Sequence, residues 1–212
     1  MGALGIVFDL DDTLYPERSY VRSCFQWISR RLCDASIFAE LWTRFEAGDG
    51  DPIGRLTKAR GIGAEDTSAL ISEMRAHRPE ITLDPGAAEL LARLRTQSRA
   101  YSIVTNGRSI TQRMKVAALG LEDATAIVIS EEFGASKPDA SLFREVERFH
   151  AAQRHLYVGD NPAIDFEGPN SIGWETAMLI REDGIHRRPL ALSPQQSAKR
   201  IIASLGELSA LV

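Results

Sequence analysis

Four short apolar runs in this chain stop abruptly at polar or charged residues, and that recurrence constrains the fold more than any other feature. Leu4 to Phe8 runs into Asp9-Leu10-Asp11-Asp12-Thr13, and Tyr101 to Thr105 into Asn106-Gly107. Ala126 to Ser130 precedes Ser136-Lys137-Pro138-Asp139, and Leu156 to Gly159 leads into Asp160-Asn161-Pro162-Ala163-Ile164-Asp165. Apolar runs of this length, without alternation, mark strands buried on both faces. Thr176 to Ile180 reads as a further strand. Helical segments separate them. Asp84-Pro85 starts one with Pro at its first position, Ser109 to Leu119 is closed by Gly120 as C-cap, and Pro138 to His150 forms another. Strand and helix in alternation imply right-handed crossovers. The expected fold is α/β, a doubly wound, mostly parallel Rossmann-like sheet.

One segment breaks this rhythm. From Leu14 to about Leu83 there is no strand candidate. Tyr20, Cys24, Trp27, Ile28 and Arg31 follow helical spacing, as do Phe38, Leu41, Trp42 and Phe45, and Ala64 to His77 reads as one more helix. Gly48 to Pro52 and Gly61 to Gly63 interrupt the pattern. The arrangement expected is an α/β core of residues 1–13 and 84–212, with a small α-helical cap domain, residues 14–83, inserted after the first strand.

With 44% apolar and 25% charged residues in 212, the chain has the balance of a globular protein with one substantial core. A net charge of -4 gives no electrostatic reason for a nucleic acid or an anionic membrane as partner. No apolar run approaches the roughly 18 residues of a membrane span, and the N-terminal residues lack a signal-peptide pattern, so the expected compartment is the cytoplasm. Cys24 and Cys33 read as small apolar residues on helices.

In open parallel sheets, ligands bind beyond the carboxyl ends of the strands. Asp9 and Asp11, two apart on an extended chain, would face one point there. Carboxylates held close repel unless a cation intervenes, and a hard divalent ion with oxygen ligands meets that need. Thr105 and the Asn106 backbone could bind an oxyanion, with Gly107 allowing close approach. Lys137, set at a helix N-terminus if Pro138 opens the helix, would be unfavourable there unless an anion lies nearby. Each cluster alone admits a bland reading: an acidic turn, an Asn-Gly turn, a solvated lysine, an N-cap aspartate. All four in order, each after a strand, do not.

The chain resembles the haloacid dehalogenase superfamily, in its branch with a helical cap after the first motif. Phe8-Asp9-Leu10-Asp11-Asp12-Thr13-Leu14 matches motif one, Thr105-Asn106 motif two, Lys137-Pro138 motif three, and Gly159-Asp160 with Asp165 motif four. The resemblance implies a phosphatase acting on a small phosphorylated metabolite. Asp9 would form an aspartyl-phosphate, and Asp11 would act as acid and then base. Thr105, Asn106 and Lys137 would hold the phosphoryl group. Mg²⁺ would be bound by Asp9, the Asp11 carbonyl and Asp160, with Thr13, Gly107 and Asp165 in support. Asp11 favours phosphate over halide, because halide leaves without a proton. A phosphomutase and a non-catalytic regulatory module on this fold are the alternatives. Tyr15, Glu17, Arg18 and Arg108 are candidates for the leaving group, although packing or surface roles are simpler. His77, His150, His155 and His186 show no metal-ligand spacing, and Arg187-Arg188 reads as a solvated loop. The substrate stays open among sugar phosphates, nucleotides and glycolate-like phosphates.

Overall fold

The computed structural model describes residues 4–150, 152–182, 184–185 and 193–211. His186, Arg187 and Arg188 lie outside the described residues. Strands β1 (Leu4–Phe8), β2 (Tyr101–Thr105), β3 (Ala126–Ile129), β4 (Arg154–Gly159), β5 (Glu175–Leu179) and β6 (Arg200–Ile202) form one parallel sheet in the order β3-β2-β1-β4-β5-β6. Both faces are covered, as the unbroken apolar runs require. Ile6, Phe8, Ile103, Leu156 and Val158 pack on one side with Leu90, Leu91 and Leu94 of α5 (Pro85–Thr96) and Val116 and Leu119 of α6 (Ser109–Leu119). Val7, Val104 and Tyr157 face the other side, against Leu142, Phe143 and Val146 of α8 (Ala140–Glu147).

The strand order reverses between β1 and β4, so the chain ends leaving these two neighbours diverge. That crevice places Asp9 beside Asp160. The local signals there behave as read. Asp84 caps α5 by accepting the Gly86 N–H at 3.0 Å, and Gly120 closes α6 at φ 66°.

Between β1 and α5 run four helices: α1 (Glu17–Arg31), α2 (Ser36–Glu46), α3 (Pro52–Ala59) and α4 (Ala64–Ala76). They bury their own apolar cluster, with Phe25, Ile28, Ile37, Leu41 and Leu56 at its centre. Trp27, Trp42 and Phe45 pack against that cluster. The two ends of the segment meet where the Asp84 N–H donates to the Leu14 carbonyl at 2.9 Å.

Several local readings need correction. The chain does not stay extended past Phe8. It bends at Leu10, and the Leu14 N–H returns to the Leu10 carbonyl at 3.0 Å. Ser130 opens the short helix α7 (Ser130–Phe133) instead of ending β3. Pro138 is not the first helical residue: Asp139 is the cap, accepting the Ser141 N–H at 2.8 Å, and α8 ends at Glu147. Cys33 lies beyond the end of α1 with φ 53°, while Cys24 is buried within it. The helix α9 (Glu167–Ser171) and β6 carry too few residues for a periodic signal. No helix among the described residues is long and apolar enough to cross a membrane.

Candidate active site

The crevice holds a buried lysine among acids. Lys137 Nζ lies 2.6 Å from Asp9 Oδ1, 2.7 Å from Asp165 Oδ1 and 3.1 Å from the Tyr157 hydroxyl. All three of its donors are thereby used. The cation is stable there although burial opposes it, because the two carboxylates outweigh desolvation and push its pKa upward. Its backbone is fixed as well: the Lys137 N–H donates to Asn106 Oδ1 at 2.8 Å, and Asn106 Nδ2 donates to the Lys137 carbonyl at 3.3 Å. Motif-two Asn106 is thus the clamp that positions the motif-three lysine. Asp165 is wholly buried. Its second oxygen accepts the backbone N–H groups of Asp160 and Asn161, at 3.1 and 2.8 Å, so it shapes the turn that presents Asp160. Gly159 makes this possible, since a Cβ there would stand 2.6 Å from Asp165 Oδ2.

Asp9, Asp160 and Asp165 each offer a carboxylate oxygen, all within 4.8 Å of one another. Burial, then the charges of Asp9 and Asp165, pushes Asp160 up to about 9. Burial likewise raises Asp9 to about 7, against the pull of Lys137. A lone lysine therefore leaves this set short of positive charge. Oxygen donors and an unmet negative charge fit a hard divalent cation. With Asp165 committed to Lys137 and the turn, Asp9 and Asp160 are the freer ligands.

Asp11 lines the same cavity but points elsewhere. Its Oδ1 accepts from Lys115 Nζ at 2.7 Å and from the Tyr15 hydroxyl, and its Oδ2 accepts from Gln112 Nε2 at 2.9 Å. Burial would raise its pKa, but these donors outweigh burial and hold it below the usual carboxylate range. Asp12, at φ 53°, ties the loop down by accepting the Glu17 N–H at 2.8 Å and the Ile185 N–H at 2.7 Å.

The remaining candidates divide. Thr105 Oγ1 accepts from Gln112 Nε2 at 2.6 Å, and the Asn106 backbone N–H makes no hydrogen bond among the described residues. Gly107 adopts φ 144° and gives its N–H to Ser130 Oγ at 2.9 Å, so it supports the turn. The Thr13 hydroxyl is buried and has no partner among the described residues. Arg18 pairs with Glu46 and stacks over Trp42 and Phe45, and Arg108 lies 3.7 Å from Glu131 at the surface. Tyr15 is spent on Asp11. His77, His150 and His155 bond Ser23, bond Ser102 and stack on Trp174 respectively.

Lys115 and Gln112 were not singled out from sequence. Their signal is faint: two polar residues three apart on the otherwise apolar side of α6, both buried.

An aspartate after β1, a lysine clamped beside it and acids after β4 thus meet at the carboxyl edge of one parallel sheet. The chain matches the haloacid dehalogenase-like hydrolases over residues 6–179 and belongs to that family. It is 28% identical over 194 residues to the glyceraldehyde 3-phosphate phosphatase of Methanopyrus kandleri, covering 83% of each chain. It is 32% identical over 142 residues to the ribulose-1,5-bisphosphate 5-phosphatase of Halopiger xanaduensis. That match takes in 65% of this chain and 59% of the relative, so the chain spans less than two thirds of that protein. Among solved structures, the HAD-hydrolase YfnB of Bacillus subtilis bound to magnesium superimposes with a TM-score of 0.72 at 24% identity, over 99% of this chain and 98% of that one. At that identity the likeness concerns the fold.

Proposed function

We propose that this phosphoric monoester hydrolase cleaves a small phosphorylated metabolite through an aspartyl-phosphate on Asp9, with Mg²⁺ as cofactor and the helices of residues 14–83 as a cap. The observation that carries the reading is the 2.6 Å contact of Lys137 Nζ with Asp9 Oδ1 beside Asp160. It favours the ionised form of Asp9 against the pull of burial and aims the carboxylate while charge accumulates on phosphorus.

Asp9 attacks phosphorus, the bond to the ester oxygen breaks, and that oxygen leaves with the electron pair. Splitting the displacement in two lets one carboxylate serve as leaving group for the second, hydrolytic half. Lys137 holds its position against Asp9 through Asn106 and Asp165, so its charge needs no reorganisation during transfer. Thr105 Oγ1 and the Asn106 N–H receive phosphoryl oxygens. Mg²⁺, held by Asp9, Asp160 and the Asp11 main-chain carbonyl, supplies positive charge for the transferred group when bound. Asp11 is the acid and then the base. In the present arrangement Oδ1 takes two donors and Oδ2 takes one, so Oδ2 keeps a lone pair with which to carry the proton while Lys115 and Tyr15 hold the carboxyl in place. The sulfur-free, oxygen-only donor set suits Mg²⁺ better than a softer ion.

Asp9→Asn should abolish Mg²⁺-dependent release of p-nitrophenol from p-nitrophenyl phosphate, with EDTA as the metal-free control. Unchanged turnover in that variant would overturn the mechanism. A phosphate-release panel of metabolites then separates hydrolysis from mutase chemistry, since a mutase returns the group to a bound intermediate.

A further inference from the structure

Resting on that reading, we infer that Glu17 reads the leaving group, and that the substrate is the monophosphate ester of a short polyol or amino alcohol carrying no second anion.

Glu17 opens α1, and its backbone N–H is pinned to Asp12 Oδ1 at 2.8 Å. Its side chain lines the same cavity as Asp9, Asp11, Thr105, Lys137 and Asp160. No ion pair or side-chain hydrogen bond engages its carboxylate among the described residues. Every other acid in the cavity has a defined task. Asp9 faces Lys137, Asp11 is bonded by Lys115, Asp12 caps two backbone N–H groups, and Asp160 belongs to the oxygen cluster suited to a divalent cation. A charge balance follows. Lys137 and a divalent ion together offset Asp9, Asp160 and Asp165, and Lys115 offsets Asp11. Glu17 remains as a cavity-lining acceptor without a donor among the described residues. Among the described residues lining the cavity, Lys137 is the one cation.

Such a wall repels a carboxylate or a second phosphate on the leaving group, and attracts a hydroxyl or an ammonium. The cavity, about 140 Å³, is also small. Ligand sites for drug-sized molecules run to roughly 300–1,000 Å³, so a short leaving group is enough to fill it. The glycolate-like phosphates, which remained open from sequence, are disfavoured by charge.

Equilibrium binding tests this without turnover. In the full-length Asp9→Asn protein with Mg²⁺, assayed above pH 8 where the Glu17 carboxyl is ionised, glycerol 3-phosphate or phosphoethanolamine should bind at least about tenfold more tightly than phosphoglycolate, the scale of one hydrogen bond to a charged group. Which of the two binds better identifies the donor as hydroxyl or ammonium. Adding Glu17→Gln should shrink the ratio, and Glu17→Lys should reverse it. The inference is overturned if phosphoglycolate binds as tightly as both, if neither binds at millimolar concentration, or if Glu17→Gln leaves the ratio unmoved. Should Glu17→Lys not fold, Glu17→Gln decides alone. Wild-type protein that fails to hydrolyse any ester, while the binding ratio shifts as stated, refutes the phosphatase reading and spares this one.

Discussion

Lys115 reaches Asp11 from α6, sits over the Tyr20 ring at 4.2 Å and is itself buried, so its charge has little water to turn to. It is a positioning residue that acts through the acid. Removing it with Lys115→Met should lower kcat on alkyl phosphates by about a hundredfold, the lower range of what a positioned acid contributes. The loss on p-nitrophenyl phosphate should be several-fold smaller, because nitrophenolate leaves without protonation. Equal losses on both esters would indicate a merely structural role. Asp9, Asp11 and Asp160 were legible because they come at or just after the end of an apolar run, where a charged residue is conspicuous, and Lys137 because it stands before Pro138 in the same ordered series. Gln112 and Lys115 were not, because a polar residue on a helix is ordinarily read as its solvent face. Only the packing of α6 against the β1 loop turns that face inward.

At the scale of elements, the helices α1–α4 hold together through their own cluster, in which Leu41 and Ile28 are fully buried. Leu41→Ala removes three heavy atoms from this core and, as a large-to-small core change, should cost about 2–5 kcal/mol. Chemical denaturation with an unchanged m-value would show this, and a cost below about 1 kcal/mol would mean the cluster relaxes freely. The helical spacing of Phe38, Leu41, Trp42 and Phe45 made α2 readable. The β6 strand was not readable, because three residues at a sheet edge gain their conformation from pairing with β5 and not from their own pattern.

Across the whole molecule, the acids gathered at one sheet edge make stability depend on pH and metal. Asp9 is pushed up to about 7, Glu17 to about 8 and Asp160 to about 9, in each case chiefly by burial. Folded metal-free protein therefore holds more protons than the unfolded chain from about pH 4 to 9, and its stability falls as pH rises through that window. The melting temperature in EDTA should drop between pH 6 and pH 9. Asp160→Asn should flatten the upper part of the drop. Mg²⁺ should raise the melting temperature most at the alkaline end, by binding the folded state. A flat profile in EDTA would show that these carboxylates do not carry the burden described. By itself the sequence determined the parallel sheet, the helical insertion and the residues at the strand ends, because these are written in local period and in abrupt changes of polarity. Tertiary structure alone decided which oxygen each of them faces: that Asp165 serves the lysine and the turn, that Asn106 clamps Lys137, that Asp11 is tethered to α6, and that Glu17 is left without a partner among the described residues. Those outcomes depend on distances between segments far apart in the chain, which no local pattern encodes.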